Sequence, residues 1–142
     1  MPDLESAIAL SVAAHRGQVD KGGQPYILHP LRVMLCLNHE SGRIVAVLHD
    51  VVEDNQEYPL KRLESLGYSS EILRALDCLT KRPGEDYDRF VERIKSDTLA
   101  TEVKLADLED NMDVRRLSGL SGDDFDRLQR YRKAWSELKG MC

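Results

Sequence analysis

Four residues of metal-ligating type fall in three separate stretches of this sequence: His29 in "YILHP", the adjacent pair His49 and Asp50 in "VAVLHDVVEDN", and Asp107 in "VKLADLEDN". Two imidazoles and two carboxylates make a mixed nitrogen and oxygen set that suits a divalent first-row metal. Each sits beside apolar residues, so each is expected to point inward. A buried carboxylate without a partner costs several kcal/mol, a large share of a small domain's stability. A shared cation removes that cost by turning the carboxylates into ligands. Spacing adds to the pattern: Asp50, Glu53 and Asp54 stand at i, i+3 and i+4 on one helical face, and Asp107 and Asn111 are related by the same i, i+4 step.

Other roles fit the same residues taken singly. His29, ahead of Pro30, can be a capping or packing residue, and Asp107 can pair with Lys104 on its own helix. Glu53 and Asp54 can form a solvated helix end, although the C-terminal end of a helix disfavours negative charge.

The elements that must position these residues read as helices nearly throughout. "LESAIALSVAAH" sets Leu4, Ile8 and Val12 on one stripe, and "GQVDKGGQPY" is a loop punctuated by glycine and proline. Pro30 sits where a helix can start, and "LRVMLCLNH" reads as a short buried helix. "SGRIVAVLHDVVED", with Ser41 as its expected N-cap, is apolar all round and therefore central. "PLKRLESLG", "SSEILRALDCLT", "DRFVERI", "TLATEVKLADLEDNMDVRRL" and "FDRLQRYRKAWSELKG" are further helices, the last stopped by Gly140. No segment alternates with a period of two. The expected fold is all-α, a compact bundle of about six to eight helices of ordinary length, forming one domain over residues 1–142.

Composition narrows the function classes. The 142 residues are 42% hydrophobic, ordinary for a soluble globular domain. No apolar run is long enough to span a membrane. "MPDLESAIAL" lacks the basic and apolar regions of a secretory signal, so a cytoplasmic location is the default. A formal net charge of −5 argues against nonspecific nucleic-acid binding but leaves room for a small phosphorylated ligand on a few local cations. Cys36, Cys78 and Cys142 are odd in number and unpaired in pattern; Cys36 and Cys78, in apolar runs, are expected to be small buried hydrophobes.

Four words in this order, "AHRGQ", "KGGQPYILHPLRV", "VAVLHDVVEDN" and "VKLADLEDNM", resemble the HD-domain phosphohydrolases. More closely, they resemble the hydrolase domain of the RelA/SpoT alarmone enzymes and its stand-alone relatives, the small alarmone hydrolases. The resemblance implies that His29, His49, Asp50 and Asp107 hold one divalent metal ion, usually manganese, and that Glu53 and Asp54 are the catalytic acidic pair. It places Asn111, Lys21 and Tyr26 against the substrate, and "RLQRY" adds Arg127 and Tyr131. Lys21 and Arg127 would meet phosphate charge, while Tyr26 and Tyr131 are either core residues or stack on the base. His15 is expected to pack or to support the metal ligands from behind, and Lys81, Arg82 or Tyr87 of "LTKRPGEDY" to lie at the pocket mouth or in a solvated loop.

The implied activity is metal-dependent (p)ppGpp 3′-pyrophosphohydrolysis, releasing pyrophosphate and GDP or GTP, without room for a synthetase. Adenine alarmones or the 2′-phosphate of NADPH are alternative substrates, and a nucleotide-sensing module without turnover is the alternative outside enzymes. The partner in each case is a small nucleotide, not nucleic acid or a membrane; the sequence leaves the oligomeric state open. Three positions depart from the family pattern: Asp20 and Leu108 stand where a basic residue is usual, and Asp110 where histidine or tyrosine is. An acidic residue beside a polyphosphate site is expected to repel the most highly charged substrates.

Overall fold

The computed structural model describes residues 1–140, so Cys142 lies outside the described residues. Among these are eight α-helices and one short 3-10 helix: α1 (Leu4–His15), α2 (Leu28–Leu35), α3 (Glu40–Asp54), α4 (Leu60–Ser65), α5 (Ser70–Cys78), α6 (Tyr87–Lys95), α7 (Thr98–Asn111), the 3-10 turn Val114–Arg116, and α8 (Gly122–Lys139). No described helix is long and apolar enough to cross a membrane. The all-α expectation holds.

Helix α3 is the centre. Its residues Ile44 to His49 are all buried, and it packs against α1, α2, α5 and α7. A helix apolar on every side has no other stable place. Its N-cap differs from expectation: His39, not Ser41, closes the end, with Nδ1 accepting from the Gly42 amide at 3.1 Å. The His39 ring lies so close that a Cβ on Gly42 would sit 2.7 Å from it, so only glycine fits beneath this cap.

Other starts follow side-chain chemistry. Ser69, Asp86 and Asp97 cap α5, α6 and α7 by accepting from backbone amides, and Ser121 with Asp124 forms a capping box on α8. That box starts α8 ahead of the expected Phe125. The long helix expected from Thr98 to Leu117 is interrupted: α7 ends at Asn111, and Asp113 caps the 3-10 turn by accepting from the Arg115 amide. An aspartate that can satisfy backbone donors locally competes with helix continuation.

Two packing expectations are corrected. On α1, Leu4 and Ile8 pack half-buried against the core as the stripe implies, but Val12 faces solvent and Ala7, Ser11 and His15 form the buried face, because close approach to α3 favours small side chains. Cys36 is exposed at the end of α2 and Cys78 is half-buried, with both thiols free. The apolar run around Cys36 belongs to a helix whose buried face is His29, Pro30, Val33 and Met34.

Candidate metal centre

The three ligand-bearing stretches become α2, α3 and α7, which pack on one another. His29 lies in the first turn of α2, His49 and Asp50 in the last turns of α3, and Asp107 one turn from the end of α7. One donor atom from each of the four lies within 4.8 Å of the others. His29 Nε2 is 2.9 Å from Asp107 Oδ1 and 3.5 Å from Asp50 Oδ2. His49 Nε2 is 3.3 Å from Asp107 Oδ1 and 3.3 Å from Asp50 Oδ1. His49 and Asp107 are only 3% and 4% exposed.

The outer nitrogens are both committed. His49 Nδ1 donates to the Ala46 carbonyl at 2.8 Å, and His29 Nδ1 donates to Asp110 Oδ2 at 2.6 Å. In a neutral imidazole, that leaves each Nε2 lone pair facing carboxylate oxygens, acceptor against acceptor. Only a positive charge between them makes the arrangement favourable. Burial acts to lower both imidazole pKa values, yet Asp107, Asp110 and Asp50 outweigh it at His29, raising it to about 10, and Asp50 and Asp107 outweigh it at His49, raising it to about 9. Burial likewise opposes ionisation of Asp107, but Lys104 and the two histidines hold its carboxyl well below the usual range. The site therefore draws cations inward, and its donor set fits a divalent first-row metal with the histidines fixed from behind.

Asp107 is divided between two tasks. Oδ2 accepts from Lys104 Nζ at 3.1 Å, while Oδ1 faces the histidines and accepts from Asn111 Nδ2 at 3.4 Å. The pairing open to it on its own helix is thus present together with the cluster. Lys104 is the contributor that sequence spacing identified only as a partner; it is almost buried and also sits 5.3 Å from the Phe90 ring centre. Tyr26 donates to Asp50 Oδ2 at 2.8 Å, so its hydroxyl orients a member of the cluster and its ring borders the cleft. His15 packs against that ring, centroids 5.0 Å apart, with Nδ1 donating to Gln18 Oε1 at 2.9 Å.

A pocket of about 280 Å³ opens over the cluster, with Glu53, Asp54, Lys81 and Tyr87 on its walls. Partial burial raises the Glu53 and Asp54 carboxyls, and the Asp50 charge raises both further. Arg82, the third candidate from the α5–α6 loop, instead pairs with Asp77 at 3.0 Å. A second cavity of about 300 Å³ adjoins the first along Tyr26, His29, Asn111 and Tyr131 and carries Lys21 and Arg127 at its far side. Lys21 is displayed on a small turn between α1 and α2, where Val19 bridges Pro25 and Gly23, at φ +81, supplies a left-handed backbone. Both cations contact Asp124, Lys21 at 3.5 Å and Arg127 closely.

The three departures from the family pattern lie in different places. Leu108 is fully buried in the core. Asp110 is occupied by His29, Arg32 and Arg116. Asp20 accepts from the Gln24 amide at 2.9 Å and borders the second cavity, as does Asp110, but unlike Asp110 it has no arginine among the described residues paired with its carboxylate.

An all-helical scaffold with this cluster on three packed helices is the fold of the HD-domain phosphohydrolases. No family model matches the sequence. Among curated proteins, the chain is 32% identical over 131 residues to a guanosine-3′,5′-bis(diphosphate) 3′-pyrophosphohydrolase of Haemophilus influenzae, an alignment covering 82% of this chain and 19% of that protein. It is 30% identical over 132 residues to a GTP pyrophosphokinase of Myxococcus xanthus, covering 78% and 17%. It is 29% identical over 141 residues to the bifunctional (p)ppGpp synthase/hydrolase SpoT of Escherichia coli, covering 89% and 20%. The chain thus spans about a fifth of the length of these relatives. A solved structure described as a metazoan ortholog of SpoT that hydrolyses ppGpp shares the fold with a TM-score of 0.77 at 21% identity, over 95% of this chain and 84% of that one. Within the HD-domain class, the chain belongs to the RelA/SpoT-type family.

Proposed function

We propose that this chain is a metal-dependent hydrolase of 3′-pyrophosphorylated guanosine nucleotides, releasing pyrophosphate from (p)ppGpp. The reading rests chiefly on one observation: four donor atoms converge within 4.8 Å on the floor of a pocket that adjoins a second, cation-bearing cavity. His29, His49, Asp50 and Asp107 would hold the ion, manganese being our assignment. When bound, such an ion supplies Lewis acidity toward a phosphoryl oxygen and lowers the pKa of water.

The remaining work falls to side chains. Glu53 and Asp54, one turn beyond Asp50, face the pocket with raised carboxyl pKa values, which suits proton transfer to or from water at neutral pH. Lys104 holds Asp107 in place, and Lys81 brings a further cation to the pyrophosphate end. Asn111 and Tyr131, shared by both cavities, stand where the ribose would cross from one to the other. Lys21 and Arg127 would exchange Asp124 for the nucleotide's 5′-phosphates, Arg127 with a planar fork. That residues 1–142 form one hydrolase domain belongs to the same proposal.

Purified protein with Mn²⁺ and ppGpp, followed by pyrophosphate release, tests this reading. ppApp and NADPH in parallel reveal whether the cleft prefers another base or a 2′-phosphate. Tight ppGpp binding with no product after long incubation would instead identify a sensing module.

A further inference from the structure

We propose that Asp110 is a positioning residue that sets His29 for cation binding, a role resting on the metal-centre reading above. Asp107 and Asp110 stand one turn apart on α7 and grip opposite nitrogens of the same imidazole: Nε2 lies 2.9 Å from Asp107 Oδ1, and Nδ1 donates to Asp110 Oδ2 at 2.6 Å. With Nδ1–H committed to a carboxylate, the Nε2 lone pair is directed at the cluster. The Asp110 carboxylate is itself fixed. Arg32, one turn beyond His29 on α2, donates Nε to Oδ1 at 2.8 Å and Nη2 to Oδ2 at 3.2 Å, a bidentate fork that ties α2 to α7. Arg116 approaches Oδ2 at 3.5 Å and donates to the Asp110 carbonyl at 3.1 Å.

The two histidines of the cluster differ here. His49 is oriented by the Ala46 carbonyl within its own helix, a partner that no substitution removes. His29, in the first turn of a short helix, has Asp110 as its Nδ1 partner, a side chain from another helix. The orientation of one metal-binding imidazole therefore depends on a position where the family pattern carries a different residue. Asp110 serves the cation, and its charge is withheld from the substrate by two arginines.

The test is cation titration of the full chain. Calorimetry with Mn²⁺ and the visible absorption of bound Co²⁺ are read for the wild type, Asp110→Ala, Asp110→Asn and Arg32→Met. Asp110→Ala is expected to weaken binding ~10–100-fold and to alter the Co²⁺ spectrum. Asp110→Asn, whose amide oxygen can still accept from Nδ1, should fall between that variant and wild type. Arg32→Met removes the α2–α7 fork but keeps the His29 contact; it should lower the melting temperature with cation affinity near wild type. Equal binding by wild type and Asp110→Ala overturns the proposal, as does an Arg32→Met loss as large as that of Asp110→Ala. A wild type that takes up no cation overturns the metal-centre reading along with it. Should Asp110→Ala not fold, long-range ¹H–¹⁵N spectra of the Zn²⁺-loaded wild type decide: a proton on His29 Nδ1 supports the proposal, and a proton on Nε2 overturns it.

Discussion

The two ends of the cleft are built differently. At one end, His29, His49 and Asp107 are buried side chains on helices that form the core, and each is held from behind by a carbonyl, a carboxylate or an ammonium. At the other, Lys21 is 58% exposed on a loop and Arg127 belongs to α8, of which only Ala134 and Leu138 are buried. Chemistry that depends on donor positions within a few tenths of an ångström is placed where packing fixes them. The proposed recognition of a flexible, highly charged nucleotide falls where side chains can adjust. Substitutions at the first end should therefore alter stability and chemistry, and those at the second mainly substrate affinity.

Asp107→Ala should have the largest effect. It leaves Lys104 and two imidazoles buried without their shared counter-charge, a loss of about 3–5 kcal/mol for a broken buried pair that denaturant unfolding would detect, together with loss of cation binding. Unchanged stability would show that the buried end is less tightly coupled than its distances imply. Next comes Glu53→Gln, which should reduce turnover by ~10²–10⁴-fold while cation stoichiometry and melting temperature stay near wild type. If this variant also loses the cation, Glu53 belongs to the ligand set and the division of roles within α3 is wrong.

Arg127→Ala should act almost wholly on KM. A charge-assisted hydrogen bond is worth about 1.5–3 kcal/mol, roughly a 10- to 100-fold rise, with kcat largely kept. A kcat loss as large as that of Glu53→Gln would erase the distinction between the two ends.

Asp124→Asn should have the smallest effect. Hydrogen bonds from Ser121, with the charge of Lys21, hold the Asp124 carboxyl down at about 2. Its contribution to stability is therefore complete above the ordinary aspartate pKa of ~3.9 and fades as pH falls toward 2. The variant should show a shallower acid limb in melting temperature against pH. Its KM should also fall slightly, because Lys21 and Arg127 lose a competing anion.

Much of the buried end was legible in the sequence. The residues of the cluster lie in apolar words, and helical spacing put Asp50, Glu53 and Asp54 on one face. What spacing could not decide was whether Asp107 pairs with Lys104 or joins the histidines. Its two oxygens do both, a fact available only once α2, α3 and α7 are packed together. Asp110 read as a departure beside the substrate because sequence alone does not bring Arg32 and His29 to it from 78 and 81 residues away. The i, i+3 step from Asp107 to Asp110, matched by His29 to Arg32, was the available signal. At the other end, Lys21 and Arg127 were selected by family register alone; the i, i+3 step from Asp124 to Arg127 was a local signal for that pair, but nothing in the sequence brought Lys21 to the same carboxylate from 103 residues away. Helix ends were misplaced where a local side chain outcompeted the periodic pattern, as at His39 and Asp113.

The central claim is that α2, α3 and α7 converge on one cation. Anomalous diffraction from a crystal grown with Mn²⁺ tests it most directly. The account predicts a single strong peak within bonding distance of His29 Nε2, His49 Nε2, Asp50 and Asp107. A peak at the Glu53–Asp54 rim with none among those four, or no peak in the cleft at saturating Mn²⁺, would contradict it.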